Sequence, residues 1–287
     1  MGSVDQVVVG VIGTGLIGTS FALALKEDDA KRPILGYDLN ETCAKQALAR
    51  DAFDSFAQSP IQLAEQCDIL VIATPVSALR GIFEQIKELA DQVITTDVSS
   101  VKRSVINDAC SVWGSVPARM VLAHPIAGGE NSGPLSASAD LFRSRYVFIT
   151  PQPQNDTVAV NKVTELWRKV GAKIEELSAL QHDQLFAATS HLPHLVAYAL
   201  INSLEQDGIN IAFSAGGLAD FTRIAASDPV MWRDISMANS DYILKAIASF
   251  EKSLATIRRM IADQQSDQLL ELLNKTVTDK AKLNLKD

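Results

Sequence analysis

The chain has 287 residues, of which 47% are hydrophobic, so it can bury a sizeable core and is not a disordered protein. Its formal net charge is -8 and its basic residues are scattered, which excludes the basic surface typical of nucleic-acid binders. The three cysteines are widely spaced and form no CxxC motif. This pattern argues against a disulfide scaffold or a zinc ribbon and predicts a reducing, cytoplasmic location.

The first half of the chain alternates short β-branched runs with amphipathic segments. Five of these runs predict strands, at 7–12, 33–38, 69–75, 93–98 and 120–125. Helical periodicity between most of them predicts a parallel, doubly wound sheet of the Rossmann type. The first apolar run lacks a basic leader and is interrupted by glycines, so we expect neither a signal peptide nor a membrane span.

The second half becomes helical. A further strand is predicted at 146–150, and one more helix and strand at 157–177, after which long helical patterns continue to the C-terminus. We therefore predict an α/β protein with a Rossmann-type domain over 1–178 and an all-α domain over 179–287. The long apolar helices after Ala179 exceed what one helical subdomain buries alone, which predicts a homodimer.

The segment VIGTGLIG, which begins at Val11, carries the strongest local motif. Gly13, Gly15 and Gly18 form GxGxxG directly after a predicted strand and before a predicted helix, and Asp38 follows the last glycine at the spacing of a ribose-binding acid. A carboxylate there accepts hydrogen bonds from ribose hydroxyls and repels a 2′-phosphate, so the predicted cofactor is NAD. The predicted cofactor contacts, including the start of the helix and the end of a later strand, are Gly13, Gly15, Leu16, Ile17, Gly18, Asp38, Thr74 and Pro75.

Polar residues after the cofactor motif are concentrated in four segments: 97–102, 123–133, 182–194 and 220–235. All four histidines of the chain lie in the second and third of them. Together with VIGTGLIG, these segments resemble the prephenate and arogenate dehydrogenase family of tyrosine biosynthesis over nearly the whole chain. The resemblance implies an NAD-dependent enzyme that decarboxylates a cyclohexadienyl acid oxidatively, with a helical domain that forms the dimer and part of the substrate pocket. Because the chain ends soon after its last helices, we expect no separate regulatory domain.

The chemistry of such a reaction needs a base. When hydride leaves the carbon that carries a hydroxyl, the hydroxyl proton must pass to a group within hydrogen-bond reach, and histidine suits that task near neutral pH. His124 follows a predicted strand and is expected at the carboxyl edge of the sheet. The resemblance makes His124 the base and Ser100 its partner at the same hydroxyl. The structural alternatives are that His124 ends a strand and that Ser100 caps the helix that starts near Lys102.

A substrate with two carboxylates also needs cationic or donor groups. In SHLPHLVAYAL, a helix face at 195, 196, 199 and 200 is expected to pack, while the polar residues gather at the other end. The resemblance makes Ser190 and His194 ligands of a substrate carboxylate, and satisfied polar residues at a helix junction are the alternative. Arg223 is the predicted carboxylate anchor, because a guanidinium binds a carboxylate with two hydrogen bonds and stays charged.

Several polar residues remain without a firm role. Asp183 is expected to close the substrate pocket by pairing with Arg223 or His182, or else to lie on a helix surface. Trp232 is expected in core or dimer packing. His182, His191 and Glu130 receive no role from the sequence. A metal site is not predicted, since HxxH alone does not define one and the chemistry needs none.

Two other functions remain open on the residues alone. A different two-domain Rossmann dehydrogenase would act on a hydroxy acid without releasing carbon dioxide. A non-catalytic NAD-binding sensor would bind the cofactor without turnover. The choice between prephenate and arogenate, the strictness for NAD over NADP and feedback by tyrosine are likewise open. The leading prediction is a small-molecule dehydrogenase with no nucleic-acid or membrane partner.

Overall fold

The structure is a computed structural model that describes residues 7–129 and 131–283. The chain divides into two compact units, a larger one that ends at Ser240 and a smaller one that begins at Asp241. In the part of the chain that is described, no helix is both long enough and apolar enough to cross a membrane. The predicted domain boundary at Ala179 stays a prediction.

An eight-stranded sheet forms the centre of the larger unit. Its strands in chain order are β1 (Val9–Ile12), β2 (Ile34–Tyr37), β3 (Ser55–Phe56), β4 (Ile69–Ile72), β5 (Ile94–Asp97), β6 (Met120–Pro125), β7 (Tyr146–Thr150) and β8 (Lys173–Glu176). The order across the sheet is β3-β2-β1-β4-β5-β6-β7-β8. Neighbouring strands are parallel except β6 and β7, which are antiparallel.

The sheet confirms the predicted doubly wound fold. The structure contains all six of these predicted strands, at 7–12, 33–38, 69–75, 93–98, 120–125 and 146–150. None of them is longer than the predicted range, and four are shorter. β3 was not predicted, because a strand of two residues leaves no periodic pattern. β7 runs antiparallel to β6, and among the described residues of their connection the only helical element is a short 3₁₀ turn at Pro134–Ser136, whereas parallel neighbours need a longer crossover.

Six helices flank the sheet: α1 (Leu16–Asp28), α2 (Glu41–Leu48), α3 (Pro60–Glu65), α4 (Leu79–Gln85), α5 (Arg103–Trp113) and α6 (Thr157–Lys169). Alternate residues of the strands point to opposite faces, so the helices bury two separate apolar cores. Phe21 of α1 and Trp167 of α6 lie in one core, and Leu79 and Phe83 of α4 lie in the other. The two cores pack the helices against both faces of the sheet.

Helices follow the sheet as far as Leu283. These are α7 (Ala179–Phe186), a π-helical turn (Ala187–His191), α8 (Leu192–Gln206), α9 (Gly216–Thr222), α10 (Pro229–Ala238), α11 (Ser240–Ala262) and α12 (Ser266–Leu283). The helical nature of this part is as predicted. The predicted packing face of α8 is wrong in detail, because Ala197 is the buried residue, Ala199 is exposed and the other three positions are only half-buried.

Candidate active site

The glycine turn lies between β1 and α1, at the point where the strand order reverses. Gly13 has a φ of 90°, and a Cβ there would lie 2.6 Å from the carbonyl oxygen of Ala73. A Cβ on Gly18 would overlap the carbonyl oxygen of Gly13, so this glycine lets α1 pack against the turn. A Cβ on Gly15 would meet no atom within 4 Å. The open space beside Gly15 is therefore available to a ligand rather than filled by the protein.

That space fits a pyrophosphate. Gly15 is the N-cap of α1, whose first backbone N–H groups have no partner within the helix. Leu16 and Ile17 are the first residues of this helix, where the helix dipole favours an anion. The buried hydroxyl of Thr74, at the end of β4, has no hydrogen-bond partner among the described residues, and Pro75 beside it is exposed. The N–H groups at the start of α1, the Thr74 hydroxyl and the open space beside Gly15 together fit a dinucleotide bound at the carboxyl edge of the sheet.

Asp38 lies directly after β2 and is held in a fixed orientation. One carboxylate oxygen accepts from the Thr14 backbone N–H at 2.7 Å and from the Thr14 hydroxyl at 2.9 Å. The other oxygen accepts from the Asn40 backbone N–H at 2.8 Å. These bonds hold a half-buried negative charge beside the glycine turn, the position from which an acid reaches ribose hydroxyls.

A buried ion pair joins the carboxyl ends of β5 and β6. The Lys102 ammonium donates to Asp97 and to the Ala123 carbonyl, each at 2.6 Å. Asp97 also accepts from the backbone N–H groups of Ser99 and Ala123. Burial lowers the pKa of Lys102, and the nearby Asp97 opposes that shift. The pair fixes the backbone on either side of Ala123, so the residue that follows it has a defined position.

That residue is His124, the second-last residue of β6. Its Nδ1 lies 2.8 Å from Nε2 of His182, and Nδ1 of His182 lies 2.8 Å from a carboxylate oxygen of Asp183. His182 and Asp183 are fully buried, and His124 is 8% exposed. Of the two partners proposed for Asp183, the structure therefore shows His182. His124, His182 and Asp183 are called the histidine chain below.

Aromatic rings and charges set the protonation of the histidine chain. Phe186 packs edge-on against His124, with ring centroids 4.9 Å apart, and Phe148 packs against Phe186. Burial, followed by the neighbouring His182 and Lys102, lowers the pKa of His124 well below 6.5. Burial also lowers the pKa of His182, although Asp183 acts in the opposite direction. Both rings are therefore neutral at neutral pH, and His124 is able to accept a proton.

Asp183 also caps α5. Its two carboxylate oxygens accept from the backbone N–H groups of Lys102 at 2.8 Å and Arg103 at 2.9 Å. The cap that we considered as the alternative role of Ser100 is therefore supplied from α7. Ser100 lies half-buried between β5 and α5, in the segment that the Asp97 and Asp183 carboxylates fix at both ends.

The polar end of α8 lies across the π-helical turn. Pro193 has no N–H, so it interrupts the α-helical ladder at this point. Nδ1 of His194 lies 2.9 Å from the Ser190 carbonyl, and its ring stacks on Trp232 with centroids 3.7 Å apart. Trp232 is buried in a small cluster with Val101 and Ile235, as one of the two packing roles predicted for it. Ser190 and His194 thus share one helical edge, both half-buried.

His191 and Arg223 lie in different surroundings from Ser190 and His194. His191 is buried, its Nδ1 lies 3.2 Å from the Asn239 side-chain nitrogen, and burial lowers its pKa to about 4. Arg223 begins a 3₁₀ turn (Arg223–Ala226) on the surface of this chain. Its role as the carboxylate anchor stays a prediction. Glu130 lies outside the described residues.

The structure brings to the site four residues that received no role in catalysis or binding from the sequence: Asp97, Lys102, His182 and Asn239. Asp97 and Lys102 lie in a segment that was singled out, and a carboxylate that ends an apolar strand is a usable signal. Asn239 donates to the backbone carbonyl of Asp183 at 2.9 Å and has no local sequence signal. His182 is 58 residues from His124, so only the fold brings the two rings together.

The fold and the glycine turn define a class of protein, the Rossmann-type dinucleotide-binding proteins with a helical second part. Two family profiles refine this class. One, described as the prephenate dehydrogenase nucleotide-binding domain, matches residues 21–176, and another, described as the prephenate dehydrogenase dimerization domain, matches residues 178–275. The chain belongs to the prephenate dehydrogenase family.

Individual relatives agree with that assignment. A cyclohexadienyl dehydrogenase of Zymomonas mobilis is 33% identical over 97% of this chain and 96% of its own length. A crystal structure of prephenate dehydrogenase from A. aeolicus, in complex with hydroxyphenyl propionate and NAD+, is 32% identical and superposes with a TM-score of 0.91, covering 98% of this chain and all of that one. Synechocystis arogenate dehydrogenase is 26% identical with a TM-score of 0.80, covering 96% of this chain and 99% of that chain.

Substitutions at two glycines separate fold from cofactor binding. Gly18→Ala should destabilise the protein by about 1 to 3 kcal/mol, because its methyl group overlaps a backbone oxygen. Gly15→Ala should unfold at nearly the native temperature but bind NAD more weakly, because its methyl group enters the open space before α1. Thermal unfolding and calorimetric titration with NAD measure the two effects. Native NAD affinity in Gly15→Ala would place the pyrophosphate elsewhere.

Proposed function

We propose that this protein catalyses NAD-dependent oxidative decarboxylation of prephenate to 4-hydroxyphenylpyruvate, of arogenate to tyrosine, or of both. The observation that carries the proposal is the neutral, buried His124, which lies at the carboxyl edge of the sheet and shares that edge with the glycine turn. Relatives named as prephenate, cyclohexadienyl and arogenate dehydrogenases support the substrate class. The residues around Gly15 and Asp38 hold the NAD.

The reaction divides into steps that the residues can serve. NAD accepts the hydride from the ring carbon that carries the hydroxyl. His124 takes the hydroxyl proton, and Ser100 binds the same oxygen and keeps it in line with the ring nitrogen. The bond to the ring carboxylate then breaks, carbon dioxide leaves, and the electron pair moves through the ring to the carbonyl oxygen, so that the ring becomes aromatic. That oxygen takes the proton back from His124 and becomes the phenol of the product. The protein needs no further group for the loss of carbon dioxide, because aromatisation drives it.

The substrate carboxylates are held from the helical part. Arg223 anchors one of them with a bidentate pair, and Ser190 and His194 bind the other. The Ser190 carbonyl can only accept, so Nδ1 of His194 carries a proton and donates to it. A neutral His194 would then present a lone pair at Nε2. His194 must therefore be protonated when it binds a carboxylate.

The direct test is steady-state kinetics with prephenate and arogenate, each with NAD and with NADP. Release of one carbon dioxide per NADH, and a higher kcat/KM with NAD because Asp38 repels a 2′-phosphate, are the expected results. Oxidation of a simple hydroxy acid without carbon dioxide release would favour the alternative Rossmann dehydrogenase. Cofactor binding without turnover of either acid would favour a sensor.

Replacing the base should separate catalysis from binding. His124→Asn keeps an N–H donor toward His182 but has no basic nitrogen, so KM should change little while kcat falls about 10²- to 10⁴-fold. In the native enzyme, kcat/KM should fall on the acidic side as His124 is protonated. Because burial lowers the pKa of His124, that fall should be centred below pH 6.5, and it should vanish in His124→Asn. A near-native kcat with the acidic fall intact would place the base elsewhere.

Loss of the anchor should affect binding. Arg223→Ala should raise KM about tenfold to a hundredfold and leave NAD affinity unchanged, because one charge-assisted contact contributes about 1.5 to 3 kcal/mol. Arg168→Ala, on the exposed side of α6, is the matched control and should leave both constants at their native values. An unchanged KM in Arg223→Ala would give this arginine a structural role.

The protonation of His194 predicts a pH dependence of KM. Burial lowers the pKa of His194, so the free enzyme holds this ring neutral at neutral pH, and substrate binding takes up a proton. KM should therefore rise with pH, by up to about tenfold per unit. His194→Asn donates at every pH and should flatten that slope. A KM independent of pH from 6 to 8 in the native enzyme would remove His194 from the carboxylate site.

The match of residues 178–275 to a dimerization domain supports a homodimer built on the predicted helical domain, 179–287. Large apolar side chains in this part are exposed in the single chain: Phe213 is 87% exposed, Met237 70% and Val277 70%. Sedimentation equilibrium should give a dimer at micromolar concentration, and a monomer there would contradict the proposal. The cytoplasmic location and the absence of nucleic-acid and membrane partners belong to the same proposal.

A further inference from the structure

The histidine chain begins at a carboxylate that can only accept hydrogen bonds. The two oxygens of Asp183 receive the N–H groups of Lys102 and Arg103, and these bonds, together with His182, hold the pKa of Asp183 below its usual value despite burial. Asp183 is therefore ionised. An ionised carboxylate has no proton to donate, so Nδ1 of His182, 2.8 Å away, must carry the proton of that bond.

The hydrogen bond between His182 and His124 then has one possible direction. A neutral imidazole carries a single proton, and in His182 that proton is on Nδ1. Nε2 of His182 is thus an acceptor, and the short contact of 2.8 Å with Nδ1 of His124 requires His124 to donate from Nδ1. His124 is also neutral, so its Nε2 has no proton. The basic nitrogen of His124 is Nε2, the one that points away from the histidine chain.

From this geometry we propose that His182 and Asp183 are positioning residues that fix the tautomer and orientation of His124, leaving Nε2 as the base. The proposal rests on the proposed function, in which His124 takes the substrate proton. It explains why a histidine and an aspartate are fully buried beside each other. It also gives His182 and Asp183 a role in the reaction, although neither residue needs to touch the substrate.

Burial makes this control effective. His182 and Asp183 are not accessible to water, so no solvent molecule can replace either partner and release the rings. The Asp183 backbone is held by Asn239, and its side chain by the start of α5. After proton transfer, His124 carries protons on both nitrogens and keeps donating from Nδ1 to His182. The positive charge then lies two hydrogen bonds from the Asp183 carboxylate, which stabilises it.

Tautomers can be read directly by ¹⁵N NMR of the full-length protein labelled at histidine, since protonated and unprotonated ring nitrogens have well-separated shifts. The chain has four histidines, so variants at His191 and His194 assign the spectrum. The expected spectrum at neutral pH has His124 and His182 both protonated at Nδ1 and unprotonated at Nε2. A His124 protonated at Nε2 would overturn the proposal. This measurement needs no variant of the histidine chain itself, so it stands even where such a variant does not fold.

Two substitutions at one position test the consequence. His182→Gln keeps an acceptor for His124 and a donor for Asp183, and it should retain kcat close to the native value with His124 in the same tautomer. His182→Leu removes both, and it should give a mixture of His124 tautomers and lower kcat about tenfold to a hundredfold at little changed KM, the range seen when the partner of a functional histidine is lost. Gln184→Ala, exposed on the same helix, is the control and should behave as native.

The results distinguish this proposal from the one it rests on. A native kcat and a single tautomer in His182→Leu would show that His182 only fills space, and would overturn the positioning role. Near-native kcat in His124→Asn, with His124 still protonated at Nδ1 in the native spectrum, would remove the base from the proposed function while leaving the tautomer assignment in place.

Discussion

The carboxylate of Asp183 is the contact on which the site depends. It receives two backbone N–H groups at the start of α5 and one ring N–H of His182, so a single buried charge connects a helix of the Rossmann part with the first helix after the sheet. A negative charge is stabilised at a helix N-terminus by the unpaired N–H groups and the helix dipole. The same carboxylate therefore both caps α5 and orients the histidine chain.

Three buried charged groups, Asp97, Lys102 and Asp183, lie at this edge of the sheet, and each makes several hydrogen bonds. Asp97 and Lys102 neutralise each other between β5 and β6, whereas Asp183 is neutralised by N–H donors and a neutral ring. Burying such groups costs free energy unless every polar atom is paired. Apolar residues in these places would not fix His124 relative to the glycine turn. The buried charges therefore fix the position of His124.

Local patterns were sufficient for most of the fold. The parallel strands, the glycine turn and the spacing to Asp38 all follow from periodicity and from the conformational freedom of Gly13 over a short stretch of chain. The site was only partly predictable, because its bonds join residues far apart in sequence. Asp183 caps a helix that begins 80 residues earlier, and His182 meets a ring 58 residues away. No local period encodes such contacts.

The packing face predicted for α8 failed for a related reason. A hydrophobic pattern shows which side of a helix avoids water, but it does not show whether the same chain or a second copy covers that side. In this chain Leu195 and Val196 are only half-buried and Ala199 is exposed. A helical part that leaves its apolar side open in one chain is consistent with the dimerization profile that matches it. The hydrophobic pattern alone does not identify what covers this side of α8.

The proline between His191 and His194 accounts for the arrangement of polar groups along α7 and α8. Without an N–H, Pro193 cannot complete the α-helical ladder, and the chain passes through a π-helical turn, a feature that is common at functional sites. The extra residue in that turn changes the phase between the two helices. His182 and Asp183 can then be buried against the sheet while Ser190 and His194 occupy a separate, half-buried edge. The segment formed by α7, the π-helical turn and α8 thus carries both the groups that orient the base and the groups proposed to bind the substrate. The π-helical turn keeps these two sets of groups apart.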